Sequence, residues 1–227
     1  MRILLCGAFA ALFGISGLTH AVPVPGQGSW ETTLLGRDIN GHAIAAMDQN
    51  AVFVYDTLLH ATWYLEVSNM YRDLDGAKSW ATSLSVGQFS GWSLPAADPT
   101  CGLNYNCTGS EMGELYYTAL GNTGFPVPGW GLSNTGPFKN FQSSAYWSGT
   151  EYGDPTDVWG FDTSFGNQFA GCRANCLYAL AIRPGDVLVA VPVPEPGTYA
   201  MLLAGLVGLV AVRRRKAACI PGERPIS

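Results

Sequence analysis

Apolar and polar residues alternate along several short segments of the chain, each bounded by glycine, asparagine or proline. In the last of them, Tyr178, Leu180 and Ile182 share one side of an extended chain, because successive side chains of a strand face opposite sides. β-branched and aromatic composition predicts further strands at 51–55, 62–67, 145–149, 158–164 and 168–170. The later segments form a meander, so we expect a small antiparallel sheet.

A spacing of three and four residues replaces this alternation in two segments. Apolar residues at 77, 80, 81 and 84 share one face of a helix that Asp75 would cap. A second helix is predicted over 111–120 with Ser110 as its cap, and glycine, proline and asparagine predict a long irregular loop over 121–144. Two short helices and a small antiparallel sheet predict a loop-rich, single-domain α+β fold.

Both ends of the chain are apolar, and we expect a hydrophobic helix at each. Arg2 precedes the apolar stretch 3–18, which is the pattern of a signal peptide, placed here at 1–21 with signal peptidase as its partner. The apolar residues 198–212 predict a transmembrane helix, although a full span takes roughly 20 residues; a buried core helix is the alternative. The basic cluster that follows is expected to stay on the cytoplasmic side of the inner membrane. It consists of Arg213, Arg214, Arg215 and Lys216.

The body between these ends, at residues 22–190, has the length of one domain. Six Lys and Arg stand against sixteen Asp and Glu between positions 22 and 196, so the net charge is near −10. This balance excludes a basic surface for nucleic acid. Many glycine and aromatic residues with few charges indicate a packed, loop-rich fold rather than disorder.

The C-terminal residues resemble a known sorting signal. Pro194, Glu195 and Pro196 precede the apolar stretch and the basic cluster, an order similar to the PEP-CTERM signal of Gram-negative, biofilm-forming bacteria. We place this signal at 191–216, with its motif at 193–196. The resemblance implies recognition and cleavage by an exosortase of the inner membrane, and delivery to the cell surface or extracellular matrix. The tail 217–227 departs from the pattern, since such proteins end soon after the basic cluster.

Four cysteines in the body of an exported protein predict disulfide bonds. Of the three pairings that they allow, we favour the two local ones, Cys101 with Cys107 and Cys172 with Cys176. A zinc site is the alternative, but it would need distant ligands, because the body has only two histidines.

Five motifs follow one another along the body: GWSLP at 91–95, SEMGEL at 110–115, YWSGT at 146–150, WGFD at 159–162 and ALAIRPGD at 179–186. Together they resemble the Lcl C-terminal-like domain of unknown function, with Ser93 in place of that family's usual arginine. The resemblance implies a variant of the C-type-lectin or formylglycine-generating-enzyme fold. It also implies adhesion, which in one member involves sulfated glycans, and it supplies no established catalytic residues.

Two loops of the body contain candidate ligand-binding residues. Trp130 lies in a loop rich in proline and glycine, and we predict that it is exposed; with Tyr152 it offers an aromatic face to a polysaccharide. Asp154 and Asp157, in the acidic loop 151–157, offer oxygen ligands of the kind that calcium takes; a solvated hairpin loop is the alternative. Three other tryptophans are predicted to belong to the core: Trp92, Trp147 and Trp159.

No Gly-x-Ser-x-Gly, His-Glu-x-x-His or phosphate-loop motif occurs in the sequence. We therefore predict a non-enzymatic surface or matrix protein that serves adhesion or biofilm structure, with no metal or cofactor other than the candidate calcium. A carbohydrate-binding module is one alternative. A thiol- or metal-dependent enzyme on the same fold is another, and its thiol route would use Cys172 and Cys176.

Overall fold

The computed structural model describes residues 27–189 and Leu206. Residues 27–189 belong to one compact unit. The helices are α1 (Trp30–Thr33), α2 (Leu74–Ser83) and α3 (Glu111–Gly113), with a 3-10 turn at Pro99–Cys101 and a π-helical continuation of α3 at Glu114–Ala119. The strands are β1 (Leu34–Arg37), β2 (Phe53–Asp56), β3 (Ala61–Tyr64), β4 (Ala145–Glu151), β5 (Asp157–Asp162), β6 (Asn167–Cys172) and β7 (Ile182–Pro184).

The first sheet has the order β1-β2-β3-β7, and every pair in it is antiparallel. Trp63 lies opposite Val54 on one side and Ile182 on the other, so the three side chains share a face. They are buried in the same cluster as Leu115 and Tyr116 of the π-helical segment. The main core therefore lies between this sheet and that helix.

The second sheet has the order β4-β5-β6 and is also antiparallel. Gly160, in the middle of β5, lies between Trp147 of β4 and Phe169 of β6. A Cβ atom at Gly160 would lie 2.5 Å from the Phe169 ring, so only glycine lets that ring cover the strand. The turns that join β4 to β5 and β5 to β6 lie at opposite ends of this sheet.

The N-terminal cap of helix α2 lies two residues before the predicted cap, Asp75. The Asp73 side chain, not that of Asp75, accepts a hydrogen bond from the Gly76 N–H, because the cap must precede the first turn. Its buried residues Leu74, Ala77 and Ala81 pack in the same cluster as Trp147 of the second sheet. The prediction of an apolar face was thus correct for Ala77, Trp80 and Ala81, whereas Leu84 lies just beyond the helix and the predicted cap was wrong.

Helix α3 begins as predicted, since the Ser110 Oγ accepts a hydrogen bond from the Gly113 N–H. Its continuation is π-helical, and the Leu120 N–H donates to the Leu115 carbonyl, five residues back.

The α+β class is confirmed: short helices pack with small antiparallel sheets. The prediction of one sheet was wrong, because the first three strands form a separate sheet that only the last strand joins. The predicted signal peptide and the stretch 198–212 lie outside the described residues, apart from Leu206. Within 27–189 no helix is both long and apolar enough to cross a membrane.

Candidate functional site

Four exposed aromatic residues converge on one side of the described body. They lie in segments without regular structure and are each between 39 and 46% exposed. We refer to them together as the aromatic surface: Tyr105, Phe125, Trp130 and Phe165.

Phe125 lies at the centre of the aromatic surface. Its ring centroid is 5.2 Å from that of Trp130, 5.8 Å from that of Tyr105 and 6.4 Å from that of Phe165. The contacts with Trp130 and Phe165 are edge-on, with interplanar angles of 81° and 84°. Edge-to-face pairs are favourable for aromatic rings, but they make the surface ridged rather than flat.

Backbone hydrogen bonds hold the loops of this surface against one another. The Phe125 N–H donates to the Phe165 carbonyl at 2.8 Å, which joins the long loop to the β5–β6 turn. Two successive turns within the long loop, closed by Val127 and Trp130 N–H groups, bring Trp130 back beside Phe125. Tyr105 forms a bridge with Asn167 at the start of β6. The four rings are therefore placed by three chain segments that bond to each other.

The Tyr117 hydroxyl supports the loops from behind. It accepts a hydrogen bond from the Asn106 N–H at 3.0 Å and donates one to the Gly166 carbonyl. A Cβ atom at Gly124 or Gly166 would collide with this hydroxyl. Each loop can therefore come this close to the hydroxyl only because the residue at that position is glycine. Burial raises the pKa of Tyr117, which keeps the hydroxyl protonated and able to donate.

The predicted exposure of Trp130 is confirmed, as is the burial of the three tryptophans assigned to the core. Tyr152, by contrast, lies at the other end of the second sheet, where its ring is 4.8 Å from that of Trp159. Strand β5 has six residues, so roughly 17 Å separates its two ends at about 3.3 Å per residue. The structure thus divides the predicted ligand-binding residues between two places.

The Asp154 carboxylate forms hydrogen bonds within the acidic loop itself. Asp154 Oδ1 accepts hydrogen bonds from the N–H and the hydroxyl of Thr156, at 2.8 and 2.7 Å, and Asp157 begins β5. These bonds lower the pKa of Asp154. They are the contacts of a self-contained turn, and a calcium ion at this loop stays a prediction.

One group of candidate metal ligands, Asp98, Cys101 and Cys107, has its ligand atoms within 4.8 Å of one another in the described part of the chain. The predicted Cys101–Cys107 disulfide is present, so neither sulfur is a thiolate that could bind a metal.

The predicted bond between Cys172 and Cys176 is absent, and both cysteines are free and exposed. The two cysteines lie next to different backbone pairings. Cys172 ends β6 opposite Asp157, and its carbonyl accepts the Asn175 N–H of a tight turn. Cys176 directly precedes Leu177, which bridges to Arg72. Cys172 is thus part of the second sheet, whereas Cys176 adjoins a residue that pairs with the segment before α2.

The sequence did not indicate a buried pair of acids, one at the end of β2 and one at the start of the π-helical continuation of α3. Asp56 is fully buried and Glu114 is 7% exposed. Asp56 accepts hydrogen bonds from the Leu58 and Leu59 N–H groups and from the indole N–H of Trp63. Burial, followed by the neighbouring Asp56 charge, raises the pKa of Glu114 to about 8. This raised pKa means that Glu114 holds its proton at neutral pH. Neither of its buried carboxyl oxygens accepts a hydrogen bond from a donor among the described residues, which leaves the Asp56 carboxylate as the acceptor for that proton.

The C-terminal residues define the class of protein. Residues 192–216 match the family model of the PEP-CTERM protein-sorting motif, which includes the predicted Pro-Glu-Pro motif and the basic cluster. The chain is therefore an exported protein that an exosortase recognises and sorts to the cell surface or extracellular space. No curated protein matches the chain. The sorting signal thus identifies the route of this protein, and the aromatic surface is the candidate binding site of its body.

Proposed function

We propose that this protein is a non-enzymatic component of the cell surface or extracellular matrix that binds polysaccharide through its aromatic surface. The observation that carries the proposal is the convergence of Tyr105, Trp130 and Phe165 around Phe125. Solvated aromatic rings stack on the apolar faces of sugar rings, and a contiguous exposed apolar patch on a soluble domain indicates a binding site. Export to the surface places this patch where such polymers occur. The resemblance of the body to the Lcl C-terminal-like domain is consistent with adhesion.

The charges of the body favour an uncharged ligand. An anionic polysaccharide requires free cationic side chains, and residues 27–189 contain six Lys and Arg. Four of these six are paired with carboxylates: Arg37 with Asp186, Lys78 and Arg173 with Glu151, and Lys139 with Glu66.

The two other cations are engaged as well. The Arg183 guanidinium lies 5.8 Å from the Phe89 ring centroid and 5.9 Å from that of Trp92, and Arg72 donates from Nε to the Ser68 hydroxyl. A net negative body whose cations are already bound repels polyanions at long range. We therefore propose a neutral polysaccharide as the ligand, in contrast to the sulfated glycans that the Lcl resemblance implies.

The proposal is tested by affinity gel electrophoresis of the purified exported protein. Soluble neutral glucan, mannan and xylan are compared with a sulfated and a uronic-acid polysaccharide. We expect retardation by at least one neutral polymer and none by the anionic ones. Trp130→Ala should weaken this binding about three- to tenfold, the typical contribution of one aromatic contact.

Tyr71 supplies a matched control, since it is an exposed aromatic residue whose ring lies on Tyr178 instead of the aromatic surface. Tyr71→Ala should bind as the wild type does. Equal binding by the wild type and Trp130→Ala, or retardation only by anionic polymers, contradicts the proposal.

A thiol-dependent enzyme is the second candidate, because Cys172 and Cys176 are free and exposed. Its test is alkylation of the protein recovered from its host under non-reducing conditions, followed by intact mass. If two alkyl groups are added, both thiols are free and this candidate stands. If no alkyl group is added, the protein has no free thiol and therefore lacks the proposed nucleophile.

A further inference from the structure

One ring of the aromatic surface lies inside a small disulfide loop. Cys101 and Cys107 are six residues apart, and Tyr105 lies between them with its ring 5.8 Å from Phe125. The two cysteines differ in burial, since Cys107 is buried and Cys101 is partly exposed. The disulfide therefore ties the outer part of the loop to a residue of the core.

Hydrogen bonds fix the two flanks of this loop. The buried Gln168 side chain donates from Nε2 to the Asp98 and Gly102 carbonyls and accepts the Asp98 N–H at Oε1. On the far side the Asn106 N–H donates to the Tyr117 hydroxyl.

Tyr105 lies between these two anchors, and it is not a member of the core. The backbone of Tyr105 bridges to Asn167 at the start of β6, and the place of its ring against Phe125 depends also on the conformation of the short loop that carries it. A covalent closure limits the conformations of such a loop.

We propose that the Cys101–Cys107 disulfide is a working part of the binding surface: it positions Tyr105 against Phe125, so that reduction weakens ligand binding while the body stays folded. This inference rests on the proposed polysaccharide binding. A dithiol that reduces the bond supplies two electrons and two protons, leaves two thiols on the protein and becomes a disulfide itself. Tyr105 is in this respect a binding residue, and the two cysteines are positioning residues.

The consequence concerns the timing of ligand binding. Thiols stay reduced in the cytoplasm and become oxidised after export. The chain therefore acquires its complete aromatic surface only once it has crossed the inner membrane. Before export, the reduced protein binds polysaccharide weakly, and the surface becomes competent at the place where its polymer is found.

The test measures binding of a soluble neutral glucan by the full exported protein, with and without dithiothreitol. Every variant carries Cys172→Ser and Cys176→Ser, so that Cys101–Cys107 is the bond that responds. We expect reduction to weaken binding by about three- to tenfold, the contribution of one aromatic contact. Tyr105→Ala should lose the same factor when oxidised and respond no further to reduction. Tyr105→Phe, which keeps the ring, should bind and respond as the parent does.

Thermal unfolding of each sample is recorded in parallel. The inference is overturned if dithiothreitol leaves the affinity of the parent unchanged. It is also overturned if dithiothreitol lowers the affinity of Tyr105→Ala further. Loss of the unfolding transition on reduction also overturns the inference, because the inference requires the reduced body to stay folded. Equal binding by the oxidised Tyr105→Ala and Tyr105→Phe variants overturns the role given to the Tyr105 ring. A different result would contradict the proposed function, namely that the oxidised parent protein binds none of the neutral polymers.

Discussion

Replacing Glu114 by glutamine should remove most of the dependence of stability on pH between pH 5 and 9. Glutamine has the shape of the protonated acid and can donate its amide N–H to Asp56, as the Glu114 proton does. In the wild type, burial and the Asp56 charge raise the pKa of Glu114 from 4.5 to about 8. The variant keeps the contact but has no proton to lose.

The sign and size of the effect follow from linkage. Between pH 4.5 and 8 the folded protein holds a proton on Glu114 that the unfolded chain has released, so the free energy of unfolding falls as pH rises. Each pH unit in that window costs about 1.4 kcal/mol, and the whole window costs on the order of 5 kcal/mol. This loss is complete above about pH 8, and it is absent below pH 4.5.

The assay is urea denaturation of the purified protein at pH 5.5, 7 and 9, assuming a two-state transition. The wild type should lose about 3 kcal/mol between pH 5.5 and 9, and Glu114→Gln should stay nearly level and be the more stable protein at pH 9. Burial also raises the pKa of Glu111, so Glu111→Gln serves as the matched control and should keep most of the slope. Equal slopes for the wild type and Glu114→Gln would refute the assignment of the proton to Glu114.

Three further predictions concern the support of the aromatic surface, the core and the sorting signal. Tyr117→Phe removes the hydroxyl that joins Asn106 to Gly166 and should weaken neutral-glucan binding several-fold; unchanged affinity by gel electrophoresis would show that the hydroxyl is dispensable. Trp147→Ala empties a fully buried site and should cost about 3–5 kcal/mol in urea denaturation, whereas Trp130→Ala should cost less than about 1 kcal/mol; similar losses would contradict this assignment of core and surface. Glu195→Ala alters the matched sorting motif and should leave an uncleaved C-terminus by intact mass, whereas Glu223→Ala, outside the matched residues, should be processed normally.

The sequence predicts local structure well wherever the apolar residues follow a single spacing, either that of a helix or that of a strand. The apolar face of α2 and the cap of α3 depend on residues three or four positions apart, and both were correct. Strand pairing depends on distant residues instead. Nothing between positions 30 and 70 indicates that β3 pairs with β7, more than a hundred residues later, and the existence of two sheets was missed for that reason.

The candidate site was only partly predictable for a related reason. Trp130 was identified because its surroundings are rich in proline and glycine, and such loops lie at the surface. The same signal was present at Phe125 in that loop and at Phe165 beside Gly166, but it does not say that these loops meet. The buried acids were missed because Asp56 and Glu114 are 58 positions apart, and each has the appearance of a surface residue when considered alone.

The helix from Glu111 to Ala119 explains why the aromatic surface can exist in loops. Near its start the buried Glu114 carboxyl is close enough to Asp56 of the first sheet to have its pKa raised by that charge, and Tyr116 packs on Phe161 of the second sheet, with ring centroids 5.4 Å apart. The next residue, Tyr117, holds the loops of the surface through its hydroxyl. One buried helix therefore positions both sheets and the loops between them. Because these loops are tied to the core before any ligand arrives, the proposed polysaccharide binding would lose little entropy in ordering them.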